Sequence, residues 1–175
     1  MLHIAQGKMV GFNSGAQDVE TRAWQAARQL YQRASLQGWF GQIWAALTRQ
    51  PRRLLNLAET EANGPAGNCY SLGAQTVPIR QIRGSQGRCA DFDRNFCPLQ
   101  AHTRSRWLRV AAARRLGVAL PLVELVQVGD VYFVRDGHHR ISVAKAHGEQ
   151  TIEAEVTVWR VTGRLPWEQS PVAVI

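Results

Sequence analysis

The chain has no unbroken apolar run of about 18 residues, the length that a membrane-crossing helix needs. Its first residues show no positive segment followed by an apolar signal core, so the expectation is a cytoplasmic protein with no membrane span. Cysteine is scarce. Cys69, Cys89 and Cys97 are an odd number at unrelated spacings, without Cys-x-x-Cys and without a histidine pair of zinc type. That excludes a disulfide framework and a zinc finger. Cys89 and Cys97 flank Asp91-Phe92-Asp93, which leaves a redox or metal role as the minor alternative to idle thiols. The phosphate loop Gly-x-x-x-x-Gly-Lys-Ser/Thr is absent too. Acids are few, 13 against 21 basic residues, for a formal net charge of +8.

What is present is a 175-residue chain with 45% apolar content, enough for one ordinary domain or a small domain with a helical extension. The positive excess is concentrated. Residues 77–116 carry nine basic residues, all arginine, against two acids. Such a segment suits phosphate, on a nucleotide or along a DNA backbone, and it equally suits a solvated basic surface.

Periodicity divides the chain into a helical N-terminal region (1–62), a linker (63–76), an α+β domain (77–160) and a tail (161–175). From Asp18 to Leu36 the apolar positions Ala23, Trp24, Ala27, Leu30, Tyr31 and Ala34 recur at spacings of three and four, as on an amphipathic helix. Gly38 reads as a break. Trp39, Phe40, Ile43, Trp44 and Leu47 then start a second helix, and Pro51 a third short one through Glu61. The aromatic stripe reads first as core, packed on the molecule or a symmetry mate. A partner groove or oligomer seam through residues 18–48 comes next, and membrane-surface docking last. Asn63 to Asn68 carries linker composition.

In the C-terminal half, Val77 to Ile82 reads as a strand followed by the loop Arg83-Gly84-Ser85-Gln86-Gly87-Arg88, whose backbone could close on a phosphate. Asp91 and Asp93 follow as a carboxylate pair able to bind Mg²⁺ or to act as a general base, or simply to cap a helix and pair with Arg88 or Arg94. A long helix is expected from Leu99 to Leu116, then strands at Leu122–Val126, Val131–Val134 and Thr151–Trp159. The arginines of the long helix scatter around its axis.

The densest signal is Gly129 to Gly148, GDVYFVRDGHHRISVAKAHG. The strand Val131–Val134 stops at Asp136-Gly137, and a helix begins with His138-His139-Arg140. The first N–H groups of a helix lack partners and sit at the positive end of its dipole, so this corner attracts an anion. Arg140 could add a bidentate contact, and either imidazole could donate to a phosphate oxygen or move a proton.

The segment Val123 to Val158, with Asp-Gly-His-His-Arg between strand and helix, resembles the ParB/sulfiredoxin-like nucleotide-binding superfamily, and Val77 to Ile82 resembles the first strand of that domain. The resemblance covers about the C-terminal half of the chain. It implies an α+β fold with a small mixed sheet. Where sulfiredoxins hold their catalytic cysteine, His138 stands, so sulfinic acid repair is not implied. ParB proteins typically carry Gly-Glu-Arg-Arg, which binds CTP phosphates, and a downstream helix-turn-helix, for which no room remains after the last strand. The Gly-His-His-Arg form is closest to free-serine kinases and related small phosphotransferases. The resemblance therefore implies ATP, ADP or CTP phosphates held by Gly84, Ser85, Gly87, Arg88, Gly137, His138, His139 and Arg140. Asp91, Asp93, His138 and His139 are the candidates for catalysis, with Mg²⁺ through the two aspartates. Glu124 is a poorer acid. A ParB-like DNA-binding protein or nuclease acting through 77–116 is the alternative to a phosphotransferase or nucleotidase, and a non-catalytic adaptor using the tryptophan-rich helices is the third.

Overall fold

The computed structural model describes residues 14–49, 52–62, 66–161, 165 and 167. The first 13 residues of the expected helical region and most of the tail (161–175) lie outside them. The two predicted N-terminal helices are one, α1 (Ser14–Thr48). Gly38 does not interrupt it. A Cβ at that position would come within 3.1 Å of Cys97 Cβ and 3.2 Å of Leu99 Cδ2. The glycine thus lets residues 97–99 lie against the helix backbone, and that packing outweighs the roughly 1 kcal/mol that glycine costs a helix.

The predicted third helix from Pro51 is instead strand β1 (Leu55–Asn56) followed by the short helix α2 (Leu57–Ala62). Most of the stretch read as a linker, from Ala66 on, is strand β2 (Ala66–Pro78), paired antiparallel along β6 (Thr151–Val161). Turn-forming residues misled there because the neighbour that recruits them lies far along the chain. The strand predicted at Val77–Ile82 is divided. Val77 and Pro78 end β2, Ile79–Gln81 form a 3-10 turn, and Ile82 opens β3 (Ile82–Ser85).

The long helix likewise splits into a 3-10 turn, Ala101–Thr103, and α3 (Arg104–Arg115). The rest follows the sequence pattern: β4 (Val123–Val128), β5 (Val131–Asp136), α4 (His138–Ala146) and β6. The fold is α+β. Its six-stranded mixed sheet has the order β1-β3-β5-β4-β6-β2, with β3 parallel to both β1 and β5.

Alternation along the strands sends Val123, Leu125 and Val134 to one face, where they pack with Ala27 and Ala34 of α1, Trp107 and Ala111 of α3, and Ile141 and Val143 of α4. Val126, Val128, Val131 and Phe133 go to the other face, against Leu57 of α2 and Trp159. The helical region and the sheet therefore share a core. Buried polar groups close the seam between α3 and α4. Trp107 Nε1 donates to Ser142 Oγ at 2.8 Å, and that hydroxyl donates to the Phe96 carbonyl at 2.6 Å.

Candidate functional site

The parallel strands β3 and β5 end side by side, with Ser85 in register with Val134 and Gln86 N–H donating to the Val134 carbonyl at 2.9 Å. The carboxyl ends of parallel strands are where open sheets bind ligands. From β5 the chain turns through Gly137, whose φ of +98° is a left-handed conformation. Any Cβ there would lie 2.6 Å from Val123 Cγ1, so glycine is required by both backbone and space. The turn delivers His138 and His139 to the end of β3.

Gly84 and Ser85, expected in a flexible loop, are buried strand residues. Gly84 lies against the Phe133 ring, where a Cβ would meet Cδ1 at 2.1 Å. Ser85 Oγ and His138 Nε2 are 2.7 Å apart, and Ser85 Oγ also accepts the Arg88 N–H at 3.2 Å. Ser85 thus fixes the orientation of His138. Only Gln86, Gly87 and Arg88 form the exposed loop.

His138 and His139 are 5% and 6% exposed. Phe92 stacks on His138 with centroids 6.1 Å apart and meets His139 edge-on at 5.4 Å. Burial first, and then the neighbouring positive charges, lowers both rings from the ordinary 6.5 to about 4. The cations are Arg88 for His138, and Arg106 and Arg88 for His139. Asp91 works against them at both rings, Asp136 at His138, and a hydrogen bond to the Thr103 backbone at His139. Both imidazoles are therefore neutral at pH 7. His139 Nε2 is buried without a hydrogen-bond partner.

Arg140 faces elsewhere. Its guanidinium donates to the Pro121 and Leu122 carbonyls, the second at 2.6 Å, and pairs with Asp136. With a side chain only 13% exposed, it clamps the approach to β4 onto the start of α4. The guanidiniums that face the histidines are those of Arg88 and Arg106.

Asp91 and Asp93 part company. Asp91 lies at the mouth of the corner, 3.2 Å from both Arg88 Nη1 and His102 Nε2. Asp93 is only 2% exposed, and its Oδ1 accepts the N–H groups of Asn95 at 2.9 Å and Cys97 at 2.8 Å. Those bonds hold a tight turn in which Phe96 adopts a left-handed φ of +58°. The two carboxylates have different partners, and among the described residues no group of three or more His, Cys, Asp or Glu side chains that could hold a metal is present. Their separation follows from two successive turns: Asp91 N–H donates to the Arg88 carbonyl at the end of the loop, whereas Asp93, bridged to Arg53, opens the next turn, where its carbonyl accepts the Phe96 N–H.

The cysteines are free thiols. Burial, then Asp93, pushes Cys97 up to about 12, and burial also raises Cys89, so neither is a ready thiolate. The arginines of 77–116 are dispersed over different partners. Arg104 lies 5.9 Å over the Tyr31 ring, Arg114 pairs with Glu149, and Arg88 pairs with Asp91.

His102 and Arg106 carried no motif signal. On the sequence they are one of five histidines and one of the nine arginines of residues 77–116. No protein-family model, curated protein or solved structure matches the chain.

Proposed function

We propose that this chain binds a nucleotide through its phosphates at the corner between the ends of β3 and β5 and the start of α4, and that it transfers or hydrolyses phosphate there. The observation that carries the reading is a buried pair of neutral histidines at a helix N-terminus with two guanidiniums, Arg88 and Arg106, acting on them, and Asp91 and Asp136 opposing. A buried corner with Arg88 and Arg106 at a helix N-terminus suits a phosphate, which would share Arg88 with Asp91. The Asp-Gly-His-His-Arg resemblance favours the same ligand class, ATP, ADP or CTP.

The roles follow from the surroundings. Arg88 and Arg106 counter phosphate charge, Arg88 at the exposed loop and Arg106 from α3. His139 Nε2, lacking a protein partner, is the imidazole nitrogen that meets a phosphate oxygen on taking up the proton that the phosphate charge stabilises. His138 is held by Ser85 and keeps the loop at its distance. Arg140 is a positioning residue that sets the entry angle of α4. Asp91 is the acid that can take the proton of an attacking hydroxyl or water, since Asp93 is engaged elsewhere. No step is assigned to a metal.

The test is a titration of wild type and of the variants His139→Ala and Arg88→Ala with ATP, ADP and CTP. Binding by wild type at micromolar to millimolar concentration, weakened in both variants, supports the proposal. No nucleotide binding above background at millimolar concentration overturns it.

A further inference from the structure

In the second half of α1, small and large side chains stand opposite to the usual order. At 100° per residue Ala34, Gly38, Gly41 and Ala45 share the inward face. There Gly38 packs on Cys97 and Leu99, and Gly41 on Arg52. On the opposite side Leu36, Trp39, Phe40, Ile43, Trp44 and Leu47 form a stripe, each at least 41% exposed. The residues expected in the core are outside, because the small-residue seam already holds the helix on the body. A contiguous apolar stripe of this kind marks an interaction surface.

The charge around it selects the partner. Between Glu20 and Glu59 the chain carries six arginines and no acid. Arg22 and Arg33 fall within the arc of the stripe, on the preceding turns of the same helix, and Arg28 at its edge; all three are exposed. Arg49 and Arg53 are exposed just beyond its end. Beside the stripe runs a groove of about 760 Å³, lined by Phe40, Ile43 and Trp44 and bearing Arg52 and Lys145, with Asp93 the acid facing Lys145. A second copy docked by this face would set the arginines against one another. A sheet of anionic headgroups neutralises them, and indole rings are at home at that depth. Among the described residues no helix is long and apolar enough to cross a membrane.

We propose that the outward face of α1 is a peripheral docking surface for a bilayer rich in anionic phospholipid, with the aromatic stripe at the headgroup boundary and the arginines among the phosphates.

The full chain is sedimented with vesicles of phosphatidylcholine alone and of equal parts phosphatidylglycerol and phosphatidylcholine. Capture by the anionic vesicles, reduced by salt and weak on the neutral ones, is expected. Trp44→Gln with Leu47→Gln removes two exposed side chains and should weaken capture by roughly tenfold or more, with an unchanged circular dichroism spectrum. Arg22→Gln with Arg33→Gln should lower capture by anionic vesicles and flatten its salt dependence. The proposal is overturned by no capture on anionic vesicles, or by equal capture of the Trp44/Leu47 variant. A wild-type dimer in sedimentation velocity that this variant splits, with no vesicle binding, overturns it as well.

Discussion

Two neighbouring regions show how differently one residue type can be used. In the loop from Gln86 to Asp91, the carboxylate of Asp91 sits at the edge of water between Arg88 and His102, opposite the buried histidines. In the turn from Asp93 to Cys97, the carboxylate of Asp93 is sealed inside and spends one oxygen on two backbone amides. The first arrangement leaves charge available to something that arrives. The second uses Oδ1 in holding the chain and leaves Oδ2 buried without a hydrogen-bond partner. Arg88 and Arg140 differ in the same way, one beside the histidines and the other committed to two carbonyls and Asp136.

The largest way to break the comparison is acid. Both histidines have folded values near 4, below the ordinary 6.5, so the unfolded chain takes up protons first. Their contribution is complete above about pH 6.5 and is lost as pH falls to about 4, at roughly 3 kcal/mol for each ring. Urea denaturation across that range should show the decline, and His139→Phe should remove about half of it. A flat profile would mean that the corner is wet.

Next comes Asp93→Ala, which strands two buried amides and should cost about 3 kcal/mol in urea unfolding. Asp91→Ala should cost less than about 1 kcal/mol, as a partly exposed ion pair does. Equal losses would erase the distinction between turn and loop. Arg140→Ala should lower stability by about 2 kcal/mol through two lost charge-assisted bonds to carbonyls. The smallest expected effect is that of Arg88→Ala, which should leave the unfolding midpoint nearly unchanged. It should weaken ATP binding by roughly tenfold, measured by calorimetric titration.

Local signals carried the corner well. Gly137 marks the strand-to-helix turn on the sequence because a left-handed backbone is a property of that one position. The α+β class and the strands β4 and β5 were legible from local pattern as well. What was not legible is whatever depends on partners distant in the chain. Ser85 meets His138 across 53 positions, and nothing in either segment announces it. Gly38 reads as a helix break when only its own cost is weighed, yet residues 97–99 supply the reason for it. Arg140 shows a guanidinium in the motif but not its direction, and Arg106 is set against His139 only by the packing of α3 on α4. The two aspartates read as a pair because spacing does not reveal which side of the chain each one takes.

The most direct test follows the imidazole Hε1 resonances of His138 and His139 by NMR while ATP is added to the intact chain. An anion seated beside Arg88 and Arg106 stabilises the protonated rings, so both resonances should shift and their titration midpoints should rise from about 4. Resonances and midpoints that stay put at millimolar ATP would contradict the account.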